Sequence, residues 1–147
     1  MRGVDADARR HLFAAARQDA TPIWKEELAE RATTRLQSAV LVRTAKVAVT
    51  ARNIQFKSAT AGKLSTGTAA STLAAATEFG MSPGSYISTH SPKGKSYLRR
   101  AGSAFGPRKQ AGKVVFPAVD DAIPRVTSLV IQTCGRSLYD ALDGKTN

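Results

Sequence analysis

Apolar positions fall into helix-period stretches at both ends of the chain and strand-period stretches between them. Near the N-terminus, Leu12, Phe13 and Ala16, with the alanine run 14–16, predict a helix from Asp5 to about Arg17, since alanine is the strongest helix former. Asp5 and Asp7 suit the positive end of its dipole. Thr21-Pro22 then reads as the start of a second helix. The threonine serves as cap and the proline takes a first position, where its missing N–H costs nothing. Trp24, Leu28, Ala32, Leu36 and Val40 recur every four residues, which puts one apolar stripe on a helix of about 18–20 residues.

The period then shortens to two. Val47 and Val49 share one face of Lys46–Thr50, and Ile54 and Phe56 share one face of Asn53–Lys57. Such alternation predicts strands. Ala51-Arg52-Asn53 between them supplies a turn, so residues 44–58 are expected to form a β-hairpin. Residues 59–71 are small and polar and read as a loop. The alanine-rich stretch 72–79, closed by Gly80, is assigned to a strand. Residues 80–112 carry nine glycines and prolines, a density that predicts one long loop. Lys113–Phe116 reads as a last strand, stopped by Pro117. A final helix follows to Leu142 and ends at Gly144. Val119, Ile123, Val126, Val130, Cys134, Leu138 and Leu142 make its expected core stripe. The order predicts an α+β fold, with helices packed on a small antiparallel sheet and a long basic Gly/Pro-rich loop. It forms a single domain over 1–147. Within it, 1–20 is an N-terminal helical extension, 21–79 a helix, hairpin and strand, 80–112 the loop, and 113–147 the strand and C-terminal helix.

Composition narrows the classes. A length of 147 residues matches one domain of about 100–150 residues and is enough to bury a core without a staple. The single cysteine, Cys134, excludes an internal disulfide and a multi-cysteine zinc site. No apolar run approaches the roughly 18–20 residues of a membrane span, and the N-terminus lacks the apolar stretch of a secretory signal. The expectation is a soluble protein of a reducing compartment.

Charge changes the picture more. The net charge is +11, but residues 31–114 hold fourteen bases against the lone acid Glu78, while both ends are nearly neutral. Such a block draws polyanions at long range. The partner is either nucleic acid or the acidic face of another protein. Within 80–112 the bases Lys93, Lys95, Arg99, Arg100, Arg108 and Lys109 stand without an acid, interleaved with Tyr86, Tyr97 and Phe105. Together with Lys113 they are the candidate contacts to DNA or a partner. An uncommonly long loop is usually functional, so this one is expected to be ordered by a partner.

Catalytic and metal chemistry find little support. Cys134 lies on the apolar stripe, as a core residue. His11 follows Arg9-Arg10 at a solvated position. His90 has only sequence neighbours, Ser88, Thr89 and Ser91, as hydroxyl companions. Glu78 stands alone in the middle block, so no carboxylate pair exists there, and Asp120-Asp121 reads as a helix-start feature. Neither GxxxxGK[ST] nor GxGxxG occurs. The chain reads as a non-enzyme with no cofactor, no catalytic residues and no metal site.

Three stretches, in order, resemble the tail-completion or neck (head-to-tail connector) proteins of long-tailed phages, especially phages of actinobacteria. The first is Arg43–Ser58, with Val49-Thr50-Ala51-Arg52-Asn53-Ile54. The second is Ala76-Thr77-Glu78-Phe79-Gly80, similar to the glutamate-phenylalanine-glycine that precedes the family's long loop. The third comprises Ser91-Pro92-Lys93-Gly94-Lys95, Phe105-Gly106-Pro107-Arg108 and Lys113-Val114-Val115-Phe116-Pro117-Ala118. Ile123-Pro124-Arg125 fits as well, and the likeness covers about residues 23–142. It implies a virion protein, assembled in the host cytoplasm. Its subunits would form a ring, usually six-fold, around the DNA channel at the head–tail joint. The implied partners are further copies of the chain, the head-closure (stopper) ring, the tail terminator or tail tube ring, and non-specific DNA in the channel, with no membrane. A tail terminator ring and a free basic nucleic-acid-binding protein are the alternatives.

Overall fold

A single helix, α1 (Arg2–Arg31), runs straight through Thr21-Pro22. The computed structural model describes residues 2–144, and the last three residues assigned to the C-terminal segment lie outside them. Thr21 is therefore no cap. Its hydroxyl donates to the Arg17 carbonyl at 2.8 Å and accepts the Val47 N–H at 3.4 Å. Pro22 is tolerated because it and Gln18, whose carbonyl loses its helical donor, are exposed to water.

The expected second stripe exists, but it bends. Trp24, Leu28 and Val40 are fully buried, yet α1 stops at Arg31. The chain restarts as a short α2 (Arg35–Gln37) and a π-helical turn (Ser38–Val42). The break is a capping box: Thr34 Oγ1 accepts the Gln37 N–H at 3.1 Å, and Gln37 Oε1 accepts the Thr34 N–H at 3.2 Å. The predicted hairpin follows as β1 (Lys46–Val49) and β2 (Ile54–Lys57), with Val47 opposite Phe56 and Val49 opposite Ile54. Val47 and Val49 are buried. Trp24 joins α1 to this hairpin. Its ring lies 5.0 Å from that of Phe56, and its N–H donates to the Lys57 carbonyl at 3.1 Å.

Three assignments are corrected. Residues 72–79 belong to a helix, α3 (Ala70–Phe79). Its Leu73, Ala76 and Thr77 are buried at helical spacing, and alanine's helix preference decides. The segment 80–112 is not one loop. It contains a second antiparallel hairpin, β3 (Tyr86–His90) and β4 (Ser96–Arg100), in which Tyr86 faces Arg100 and Ser88 faces Leu98. Lys113–Phe116 is not a strand, because α4 (Val115–Asp143) begins there. The fold is mixed α+β, and the described residues form two separate two-stranded sheets in place of one. No helix among the described residues is long and apolar enough to cross a membrane.

α4 packs along α1 through Ala118, Ala122 and Val126, which are fully buried. A charged clamp ties the pair. Buried Glu27 accepts from Arg31 at 3.0 Å and from Arg125, Arg125 reaches Glu26 at 3.0 Å, and Arg31 bonds Asp121. The expected core stripe of α4 is only half realised. Val119, Val130 and Cys134 are half-buried, while Ile123, Leu138 and Leu142 are exposed.

Candidate functional site

The basic middle of the chain is organised around one buried carboxylate. Glu78, near the end of α3, is 4% exposed and accepts four successive backbone N–H groups. They come from Lys113 (3.1 Å), Val114 (3.1 Å), Val115 (2.9 Å) and Phe116 (3.2 Å). Val114, Val115 and Phe116 are donors that a helix start leaves without intrahelical partners, and Lys113 stands just before them. α4 has no side-chain cap of its own at Val114. Glu78 supplies it from 35–38 residues away in sequence, and its charge meets the positive end of the α4 dipole.

The backbone closes around the same point. Lys109 N–H donates to the Phe79 carbonyl at 2.7 Å, and Lys113 N–H to the Glu78 carbonyl at 3.0 Å. Two glycines make room. A Cβ on Gly80 would overlap the Pro107 carbonyl, and one on Gly112 would strike Glu78 Oε1; both have positive φ. Lys113 belongs to this structure: half-buried, it donates from Nζ to the Phe105 carbonyl at 2.6 Å. Of the seven candidate contacts it is the one turned inward.

The other six are exposed but fall into two places. Lys93 and Lys95 flank the β3–β4 turn, and Arg99 and Arg100 lie on β4. Arg108 and Lys109 sit on the returning segment, where Arg108 borders a groove with Ala75, Ala76, Phe79 and Met81. The hairpin is held from beneath. Thr89 is buried, its hydroxyl 2.6 Å from that of Thr68, and Ile87 packs on the core. Tyr86, Ser88, Leu98 and Arg100 therefore share the outward face. Arg100 lies over the Tyr86 ring at 5.8 Å and donates to its hydroxyl at 3.3 Å. Leu98 is 70% exposed. Sequence reading named Tyr86 but missed Leu98, and the run of strand formers Tyr86-Ile87-Ser88-Thr89 was the signal that could have found the hairpin.

Charge is segregated by element. α1 carries six bases and six acids, and α4 two bases and four acids. Residues 32–114 carry thirteen bases and one acid, and that acid, Glu78, is buried. His90 meets a hydroxyl, but it is that of Ser96 at 3.0 Å and not that of a sequence neighbour. No carboxylate orients the imidazole among the described residues, and those residues hold no group of three metal-ligating side chains. Compared with known protein families, with curated proteins and with solved structures, the chain matches none.

Proposed function

We propose that the chain is a structural protein of a tailed phage, a ring subunit of the neck at the head–tail joint, in the tail-completion or connector role. The supporting observation is the basic β3–β4 hairpin. It is held from beneath by buried Thr89 and by Ile87 and presents Tyr86, Leu98 and Arg100 outward. An arm with a rigid base and an apolar, cationic outer face suits contact with another subunit. Ring subunits make such contacts through head-to-tail interfaces that close. Lys93, Lys95, Arg99, Arg100, Arg108 and Lys109 then meet acidic faces of adjoining rings or DNA in the channel. The reading assigns no cofactor and no catalytic role.

Quantitative mass spectrometry of purified particles, referenced to the major capsid protein, tests it. About six or twelve copies per particle are expected for a ring or ring pair. Hundreds would mean a tube or shell component, and none would sink the proposal. Cross-links to the head-closure ring or to the tail tube would separate a neck ring from a tail terminator. The exposed cations also favour a second reading, a free nucleic-acid-binding protein. It requires DNA affinity that falls steeply with salt, by about 0.9 log units per log unit of salt for each phosphate contacted.

A further inference from the structure

We infer that the outer face of the β3–β4 hairpin docks on the free face of α4 of a second copy, head to tail. α4 is apolar on two sides. Ala118, Ala122 and Val126 are buried against the molecule, while Ile123 is 48%, Ile131 66% and Leu138 65% exposed. At about 100° per residue, Ile131 and Leu138 lie about 160–180° round the helix from Ala122. A helix apolar on opposite sides has a second neighbour to find.

The surface has the composition of an interface. From Val126 to Gly135 there is no charged residue, in a chain with 22% charged residues, and interface centres are depleted of charge. Gly135, on the same side as Ile131, has nothing within 4 Å of where a Cβ would stand. A mid-helix glycine weakens the helix, and nothing within the chain calls for one here. The notch admits a side chain from outside.

Charge selects the occupant. The hairpin carries Lys93, Lys95, Arg99 and Arg100 and no acid, whereas the free side of α4 carries Asp120, exposed, outside any ion pair among the described residues and about 160° round the helix from Ala122. A copy offering its hairpin to α4 thus brings cation to anion, and Leu98 and Tyr86 to an apolar seam. α4 against α4 would leave the hairpin's apolar face uncovered. DNA would leave Leu98 without a partner. The pairing deepens the ring reading and rests on it for closure, since two different surfaces in contact propagate until they close.

A complementation experiment tests it. Leu98→Glu disables the hairpin and Ile131→Glu disables the helix; both positions are largely exposed, and circular dichroism checks that each variant folds. Sedimentation velocity is run on wild type, on each variant, and on their equimolar mixture, at the highest concentration the chain sustains. Wild type is expected to form assemblies larger than a dimer. Each variant alone is expected to be monomeric, with self-association weakened about tenfold or more. The mixture is expected to stop at a dimer, each copy supplying the surface the other lacks. A monomeric wild type would overturn the inference, as would a Leu98→Glu variant that still dimerises through α4, or a mixture without complementation. A Leu98→Glu variant that assembles normally and loses only DNA affinity would also overturn it. Failure here and failure of the neck reading are separable. Six copies in particles with both variants still assembling removes only this pairing, and complementation in a chain absent from particles removes only the neck.

Discussion

Glu78 and Glu27 are the two buried carboxylates among the described residues, and each can be tested singly. Glu78 satisfies four backbone donors at the start of α4. Glu78→Ala leaves the Val114, Val115 and Phe116 donors without partners, while Lys113 keeps the carbonyl of residue 78, and urea denaturation should register a loss of at least about 2 kcal/mol. Glu78→Asp should not restore it, because the shorter side chain cannot span both ends of the row. Glu27 is held below the usual carboxylate range by the Arg125 guanidinium, with Arg31 adding to the effect against the opposing pull of burial. A lowered carboxyl pKa stabilises the fold above the unfolded value near 4.5, and that contribution is lost as pH falls through the folded value. Stability measured from pH 6 downward should therefore fall on the acid side, and Glu27→Gln should flatten that fall. An unchanged acid limb in the variant would show that other carboxylates govern it.

At the scale of elements, α4 supplies the clearest prediction. Gly135 lies in mid-helix with open space around it. Gly135→Ala should raise monomer stability by about 1 kcal/mol, read as a higher melting temperature. A lower one would mean that the glycine has a role inside the chain. α4 also marks what sequence could reveal. Its existence, its end near Gly144 and its apolar richness were legible, because period and glycine report on the helix itself. Which side of it is buried was not legible, because Ala118 and Ala122 owe their burial to α1 and not to hydrophobicity. The β1–β2 hairpin was readable from alternation alone. β3–β4 was obscured by the glycines and prolines around it, and α3 was misread because alanine carries no period of its own. That Lys93, Lys95, Arg99, Arg100, Arg108 and Lys109 are exposed was legible, since an unpaired charged side chain stays in water. The inward turn of Lys113 was not legible, because its bond to Phe105 depends on a fold of the returning segment that local pattern does not encode.

For the whole molecule, the governing property is the separation of a strongly cationic middle from two long helices that are together slightly acidic. If DNA is among the partners, replacing Lys93, Lys95, Arg99 and Arg100 with alanine should reduce the salt slope of binding by about 0.9 for each phosphate that a removed cation had neutralised. A slope that stays the same would place the DNA-binding cations elsewhere. The clasp at Glu78 has a separate consequence. Because Phe79–Lys109 and Glu78–Lys113 hold the two feet of the β3–β4 segment together, that segment is a handle closed at its base. The body need not register how long the handle is. Extra residues inserted at its tip, around Pro92–Gly94, would cost only the slowly growing entropy of a longer closed loop, about 0.6 kcal/mol per doubling. A protease cut at the tip would likewise leave two fragments that still co-elute as one folded particle.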